Sequence, residues 1–272
     1  MKLIIDSGAT KSEFLLLRNE EPDIRYKTAG ININYCSDSF ISTVFESFLA
    51  KYKCRNKIFS LFYYGAGCLN PANAERVKLV LQPLFPKAEI NVFSDLMISC
   101  HALCNDQKGY VGILGTGSAS CNYDGKQIVD SAPSLGFMLG DEGSGTHLGR
   151  LFIQAYLRKM LSKKLVKDFE TKFEINQNKV FAKIYQEPFP QCFFASIPPF
   201  LLKNIKNKDI FDLCCASFSA FFFYQKQYYQ QFHLPWYLSG SIAYYFKDII
   251  LQVAQRKSVG IRKIIQNPIE EF

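Results

Sequence analysis

The chain has 272 residues, 48% of them hydrophobic and 21% charged, with a net charge of +8. That is enough chain for one large or two modest globular domains and excludes a disordered or fibrous protein. The positive charge is scattered over Lys163, Lys164, Lys203, Lys206, Lys208, Arg256 and Lys257 with no aromatic-interleaved stripe, so a nucleic-acid groove is not expected.

Lys2 to Ile5 and Phe14 to Leu17 are apolar runs separated by Asp6-Ser7-Gly8-Ala9-Thr10-Lys11-Ser12, which predicts a strand, a tight turn and a returning strand. Ser37, Asp38 or Ser39 caps the next element, a helix whose apolar residues run from Phe40 to Tyr52 at helical spacing. Ile58 to Tyr63 reads as a buried strand ending at Gly65-Ala66-Gly67. Asn70-Pro71 is a helix cap followed by Pro at the first helical position. Ile90 to Phe93 is a further strand, and a helix follows from Leu96 to Cys104.

From Gly109 the pattern starts again. Tyr110 to Leu114 and Ala119 to Tyr123 flank Gly115-Thr116-Gly117-Ser118, a second strand-turn-strand, and Lys126 to Val129 adds a third run. A helix is expected over about Thr146 to Leu165 and a long one over about Asp209 to Phe232. Trp236 to Leu238 is a short strand, and Gly240-Ser241 opens another helix. The reading is a duplicated α/β protein, 1–107 and 108–272, with a ligand cleft between two lobes.

The nine Cys are odd in number and form no CxxC, and the three His lack metal-site spacing. These are expected to be buried thiols of a cytoplasmic protein. No apolar run is long enough to span a bilayer, and Phe218 to Tyr229 is interrupted by polar residues, so a buried helix is expected there.

The chemistry-bearing segments are the two Gly/Thr/Ser turns. Backbone N–H groups in such turns approach phosphate oxygens closely. Gly8, Gly115 and Gly117 tolerate the backbone angles required, Thr10, Thr116 and Ser118 add hydroxyls, and Lys11 adds a positive charge. Asp6 is a candidate Mg²⁺ ligand. Each turn alone is more often structural than functional. Two in matching places of duplicated units point to a held nucleotide. Asp95, between a strand and a helix, is either an N-cap or a general base. Asp141 opens a Gly-rich helix start, where an acid complements the dipole or grips sugar hydroxyls.

The turn Asp6 to Ser12 resembles the first phosphate motif of the BadF/BadG/BcrA/BcrD-type ATPase family, and Gly115-Thr116-Gly117-Ser118 resembles its second. Leu135 to Gly145 is similar to the segment shared with N-acetylglucosamine kinases, and Gly240-Ser241-Ile242-Ala243 to the adenosine motif. The resemblance implies an actin/hexokinase-like (ribonuclease H-like) two-lobe fold with ATP and Mg²⁺. It also implies a small-molecule sugar substrate, no nucleic-acid or membrane partner, and a homodimer. Asp95 falls where these kinases keep the catalytic Asp, and Asn32 and Asp141 where they bind sugar. The last stretch, about Gly260 to Phe272, is expected to return to the first lobe. One departure stands out: animal N-acetylglucosamine kinases carry a Trp where this chain has Leu135.

The expected activity is ATP-dependent phosphorylation of N-acetylglucosamine or a related amino sugar. The alternatives are an ATPase that activates a dehydratase or reductase through a Cys-held iron–sulfur cluster, with Cys68 as the one tempting ligand, and a non-catalytic sugar sensor.

Overall fold

The computed structural model describes residues 1–8, 11–19, 21–230 and 233–272. Thr10, expected at the first phosphate turn, and Phe232, expected at the end of the long helix, lie outside the described residues. The chain divides into two compact units, residues 1–102 with 268–272, and residues 103–267.

The first unit holds β1 (Lys2–Ser7), β2 (Lys11–Leu17), β3 (Ile24–Ala29), α1 (Asp38–Tyr52), β4 (Ser60–Gly65), α2 (Pro71–Leu81), β5 (Glu89–Ser94) and most of α3 (Asp95–Cys104). The sheet order is β3-β2-β1-β4-β5. The first three strands are antiparallel, and β1, β4 and β5 run parallel. Local chemistry explains the helix starts: the Ser37 hydroxyl accepts from Phe40 N, and Asn70 accepts from Ala72 N with Pro71 behind it. Leu3, Ile5, Phe14, Phe45, Phe48, Tyr63 and Phe85 fill the core. Much of the chain's aromatic content is therefore packing. β3 is absent from the sequence reading because it is an edge strand with alternating exposure, and its outward residues Arg25 and Lys27 give no apolar run.

The second unit holds β6 (Gly109–Leu114), β7 (Ser118–Tyr123), β8 (Ile128–Ser131), α4 (Gly136–Leu139) and α5 (Gly145–Leu157). These are followed by α6 (Lys163–Phe173), α7 (Gln177–Tyr185), α8 (Pro190–Ala195), α9 (Pro198–Lys203) and α10 (Lys208–Tyr229). β9 (Trp236–Ser239), α11 (Ser241–Tyr245), α12 (Lys247–Arg256) and β10 (Ile261–Ile265) complete it. The order β8-β7-β6-β9-β10 repeats that of the first unit strand for strand, with the same antiparallel and parallel pairings. This is the duplicated actin/hexokinase-like α/β fold.

Three boundaries differ from expectation. The single helix expected to Leu165 ends at Leu157, because Lys159 adopts φ 57° and Ser162 caps a new helix at Leu165 N. The long helix stops at Tyr229, where Gln230 leaves helical geometry at φ 51°. The third strand begins at Ile128 rather than Lys126 because Asp124 Oδ1 accepts from both Lys126 N and Gln127 N and holds those residues in the turn. All nine Cys are free, and six are buried. Among the described residues no helix is long and apolar enough to cross a membrane.

Candidate active site

In the first unit the parallel strands end level. Ser7 pairs with Gly65, and Gly65 with Ser94. That register places Asp6 one residue before the end of β1 and Asp95 one residue past the end of β5. Both carboxyls are partly buried. Burial, then the charge of Asp95, pushes the Asp6 carboxyl up to about 7, with Lys11 opposing and Glu13 adding to the rise. Burial also raises Asp95, against the N–H of Leu96, which donates to its Oδ1 at 3.0 Å. Asp95 is thus the first residue of α3 and part of a two-carboxylate cluster at once.

The turn after β1 is closed by Gly8 N donating to Lys11 O at 3.0 Å, and Lys11 is exposed. Asn32 lies in the loop after β3, partly buried, its Oδ1 accepting from Asn34 N at 3.1 Å. That loop is fixed from both flanks. On one side the buried Ser7 hydroxyl bonds Ser12 Oγ at 2.6 Å, donates to Ile31 O at 3.2 Å and accepts from Ile31 N at 3.3 Å. On the other, Arg76 of α2 donates to Ile33 O, to Cys36 O and to Asp38 Oδ1 at 2.7–2.9 Å. The same helix supplies Asn73, which donates to Asn34 Oδ1 and Gly67 O.

In the second unit Gly115, Thr116, Gly117 and Ser118 join β6 to β7, with Gly115 N donating to Gly117 O at 3.0 Å. Thr116 is exposed. The turn meets the segment that starts α5: Gly145 N donates to Gly115 O at 2.8 Å, and Thr146 N to Thr116 O at 3.1 Å. Asp141 Oδ1 accepts from Ser118 N at 3.2 Å. Burial raises the Asp141 carboxyl, Ser118 N–H and Arg150 lower it, and Glu142 adds to the rise. Gly240 sits against the same turn at φ 107°, so close that a Cβ there would stand 2.4 Å from Leu114 O and 3.3 Å from Gly115 N. Ser241 follows at the start of α11 and is exposed.

The expected residues therefore gather as two groups. Asp6, Gly8, Lys11, Asn32 and Asp95 belong to the strand ends and adjoining loops of the first unit. Gly115 to Ser118, Asp141, Gly240 and Ser241 gather around one turn of the second. Residues to which the sequence reading gave no role of their own hold these groups in place: Ser7, Ser12 and Arg76 in the first unit, His147 and Arg150 in the second. His147 Nδ1 lies 2.7 Å from Ser217 Oγ and accepts from Gly143 N at 3.4 Å. Arg150 donates to Phe137 O, Met138 O and Gly140 O. Leu135, at the position of the animal Trp, is 58% exposed, and a Cβ on Gly140 would stand 2.9 Å from its own Cβ.

Among the described residues no group of three or more His, Cys, Asp or Glu is placed to hold a metal ion. Mg²⁺ needs fewer, since it binds through one or two carboxylates while keeping waters. The partly buried Asp6 carboxyl, whose ionisation is opposed by burial and by the nearby Asp95 charge, suits a divalent cation that would favour its charged form.

No protein-family model matches the sequence, and no curated protein matches it. Solved structures do. A protein of Porphyromonas gingivalis provisionally named N-acetylglucosamine kinase is 32% identical over 100% of this chain and 96% of its own, with a TM-score of 0.93. A Chromobacterium violaceum protein of the same provisional name is 16% identical, covers 100% and 97%, and has a TM-score of 0.73. A ROK-family glucokinase of Streptomyces griseus, solved with glucose and AMPPNP, is 13% identical over 97% and 93%, with a TM-score of 0.56. The last two share the fold.

Proposed function

This chain belongs to the N-acetylglucosamine kinase-like family of the actin/hexokinase superfamily, and from that premise we propose that it transfers the γ-phosphoryl group of ATP to a hydroxyl of N-acetylglucosamine or a related amino sugar. The observation that carries the reading is the Asp6–Asp95 pair at the level ends of β1 and β5. A general base works best with a pKa near the operating pH, and burial moves Asp95 in that direction.

In this reading Asp95 takes the proton of the attacking sugar hydroxyl. The sugar oxygen forms a bond to the γ-phosphorus, the bond from that phosphorus to the bridging oxygen breaks, and ADP leaves with the electron pair. Asn32 and Asp141 hold sugar hydroxyls. Gly8, Lys11 and the Gly115–Ser118 turn are assigned to the phosphates, through backbone N–H and ammonium groups. Gly240 and Ser241 face the adenosine, and Thr10 is assigned with the phosphates by its motif alone. Asp6 would hold Mg²⁺, which supplies charge neutralisation at the phosphates. A homodimer and a cytoplasmic location belong to the same proposal; light scattering on the purified protein tests the first.

The activator-ATPase alternative calls for a thiolate able to reach a shared iron–sulfur cluster. Cys68 is buried, and burial with the nearby Asp95 charge pushes its thiol up to about 12, which does not favour it.

Asp95→Asn tests the assignment. The variant is expected to bind Mg-ATP normally and to lose sugar phosphorylation by about 10²–10⁴-fold, the usual worth of a positioned base. Full turnover in that variant would remove Asp95 from the mechanism.

A further inference from the structure

The turn between β6 and β7 and the loop before α5 are linked three times. Two links are between backbone groups, Gly145 N to Gly115 O and Thr146 N to Thr116 O. The third, Ser118 N to Asp141 Oδ1 at 3.2 Å, is the one of the three that depends on a side chain. Gly117 has no side chain where Asp141 lies: a Cβ there would be 3.0 Å from Oδ2 and 3.3 Å from Cγ and Oδ1. Asp141 itself is at φ 56°, a left-handed conformation that Asp tolerates better than most residues.

The loop presenting this carboxylate is held from several directions. Asp141 O accepts from Ser144 N at 3.0 Å. His147 Nδ1 accepts from Gly143 N, and the Arg150 guanidinium binds three carbonyls between Phe137 and Gly140. A carboxylate fixed in this way, accepting a backbone N–H, makes a charge-assisted bond of the stronger kind. The N–H it takes belongs to the last residue of a turn whose first residue, Gly115, adjoins Gly240.

We propose that Asp141 is a positioning residue for the nucleotide: through the N–H of Ser118 it fixes the 115–118 turn in the form that binds phosphate, separately from any contact with sugar. The inference rests on the reading of that turn as a phosphate cradle. It makes one carboxylate answerable to both ligands, so damage at position 141 reaches the nucleotide even when no sugar is present. A residue that served the sugar alone would leave sugar-free nucleotide binding untouched.

The test is calorimetric binding of Mg-ADP in the absence of sugar, on the full chain. Asp141→Gly removes the carboxylate and suits a backbone at φ 56°, so the deletion carries no added strain. Asp141→Asn keeps an oxygen able to accept from Ser118 N and loses the charge. Gly117→Ala inserts a methyl group against Asp141. Asp141→Gly is expected to weaken Mg-ADP binding about tenfold or more, from the usual size of a hydrogen bond to a charged group. Asp141→Asn is expected to stay within about threefold of the parent, and Gly117→Ala to fall with Asp141→Gly. A near-ultraviolet circular dichroism band from buried Trp236 confirms that each variant keeps the fold of its unit. Unchanged Mg-ADP affinity in a folded Asp141→Gly overturns the inference, as does Asp141→Asn binding as weakly as Asp141→Gly, which would make the charge rather than the hold responsible. A parent protein that binds no Mg-ADP at all refutes the phosphate reading of the turn itself, a result distinct from either.

Discussion

His147 makes the stability of the second unit acid-sensitive in a way that can be measured. It is 7% exposed, and burial, aided by the charge of Arg150, pushes its imidazole down to about 4 from an ordinary 6.5. Its Nδ1 accepts from Gly143 N, and the Ser217 hydroxyl stands 2.7 Å away, so the neutral ring with its proton on Nε2 fits the site. In the unfolded chain the same ring takes up a proton near 6.5. Between pH 6.5 and 4 the unfolded state therefore binds more protons than the folded one, and stability falls as pH falls through that window. The contribution is complete above about pH 7. At pH 5 the ratio of the two binding polynomials is about 30, which corresponds to a loss of about 2 kcal/mol. His147→Asn keeps an acceptor near the Nδ1 position and removes the titration. Trp236 is the chain's one Trp and is fully buried in the same unit as His147, so its fluorescence during urea unfolding reports that unit. The parent should lose about 2 kcal/mol more than His147→Asn between pH 7.5 and pH 5. Differencing the two cancels other groups, including Asp6, whose raised carboxyl acts in the opposite sense. Equal losses in the two proteins would refute the assignment of a neutral, proton-poor His147.

Gly240→Ala should be among the most damaging single methyl additions in the chain. It places Cβ 2.4 Å from Leu114 O at φ 107°, in a backbone region essentially confined to Gly and costing about 1–3 kcal/mol for other residues before the clash is counted; Trp236-monitored unfolding should show that loss together with weakened ADP binding. Arg76→Ala releases Ile33 O, Cys36 O and Asp38 together and is expected to raise the KM for sugar several-fold while Mg-ADP affinity holds, because the loop it fixes carries Asn32 and no part of either phosphate turn. Cys68 should react with a thiol reagent far more slowly than exposed Cys192, since its buried thiol is pushed up to about 12; fast labelling at Cys68 would reopen the iron–sulfur alternative.

Much of the fold was legible because its signals are local. The turn at Asp6–Ser12, the cap at Asn70-Pro71 and the strand-turn-strand around Gly115 each announce themselves within ten residues. Repetition of that local order exposed the duplication. The helices from α6 to α9 escaped because each is only six to eleven residues long, too short for a clear helical period, with α6 ended by Glu174 at φ 51° and α8 and α9 opened by Pro190 and Pro198. Edge strand β3 escaped because half its residues face water. The residues that hold the candidate site were hidden for another reason. Ser7 meets Ile31 across 24 residues, Arg76 meets Ile33 across 43, and His147 meets Ser217 across 70. Nothing at either end marks such a bond before the chain has folded. Asp141 illustrates the limit: its type and neighbours drew attention to sugar hydroxyls, while its bond to Ser118 N could be found only in three dimensions.

The central claim is most directly tested by ADP release from the purified protein with Mg-ATP and a panel of sugars: N-acetylglucosamine, glucosamine, N-acetylmannosamine, N-acetylmuramic acid and glucose, with Asp95→Asn as control. The account predicts strong release with N-acetylglucosamine or a close amino-sugar relative, a matching mass gain of one phosphate on that sugar, and neither in the variant. Slow ATP hydrolysis indifferent to every sugar would contradict it.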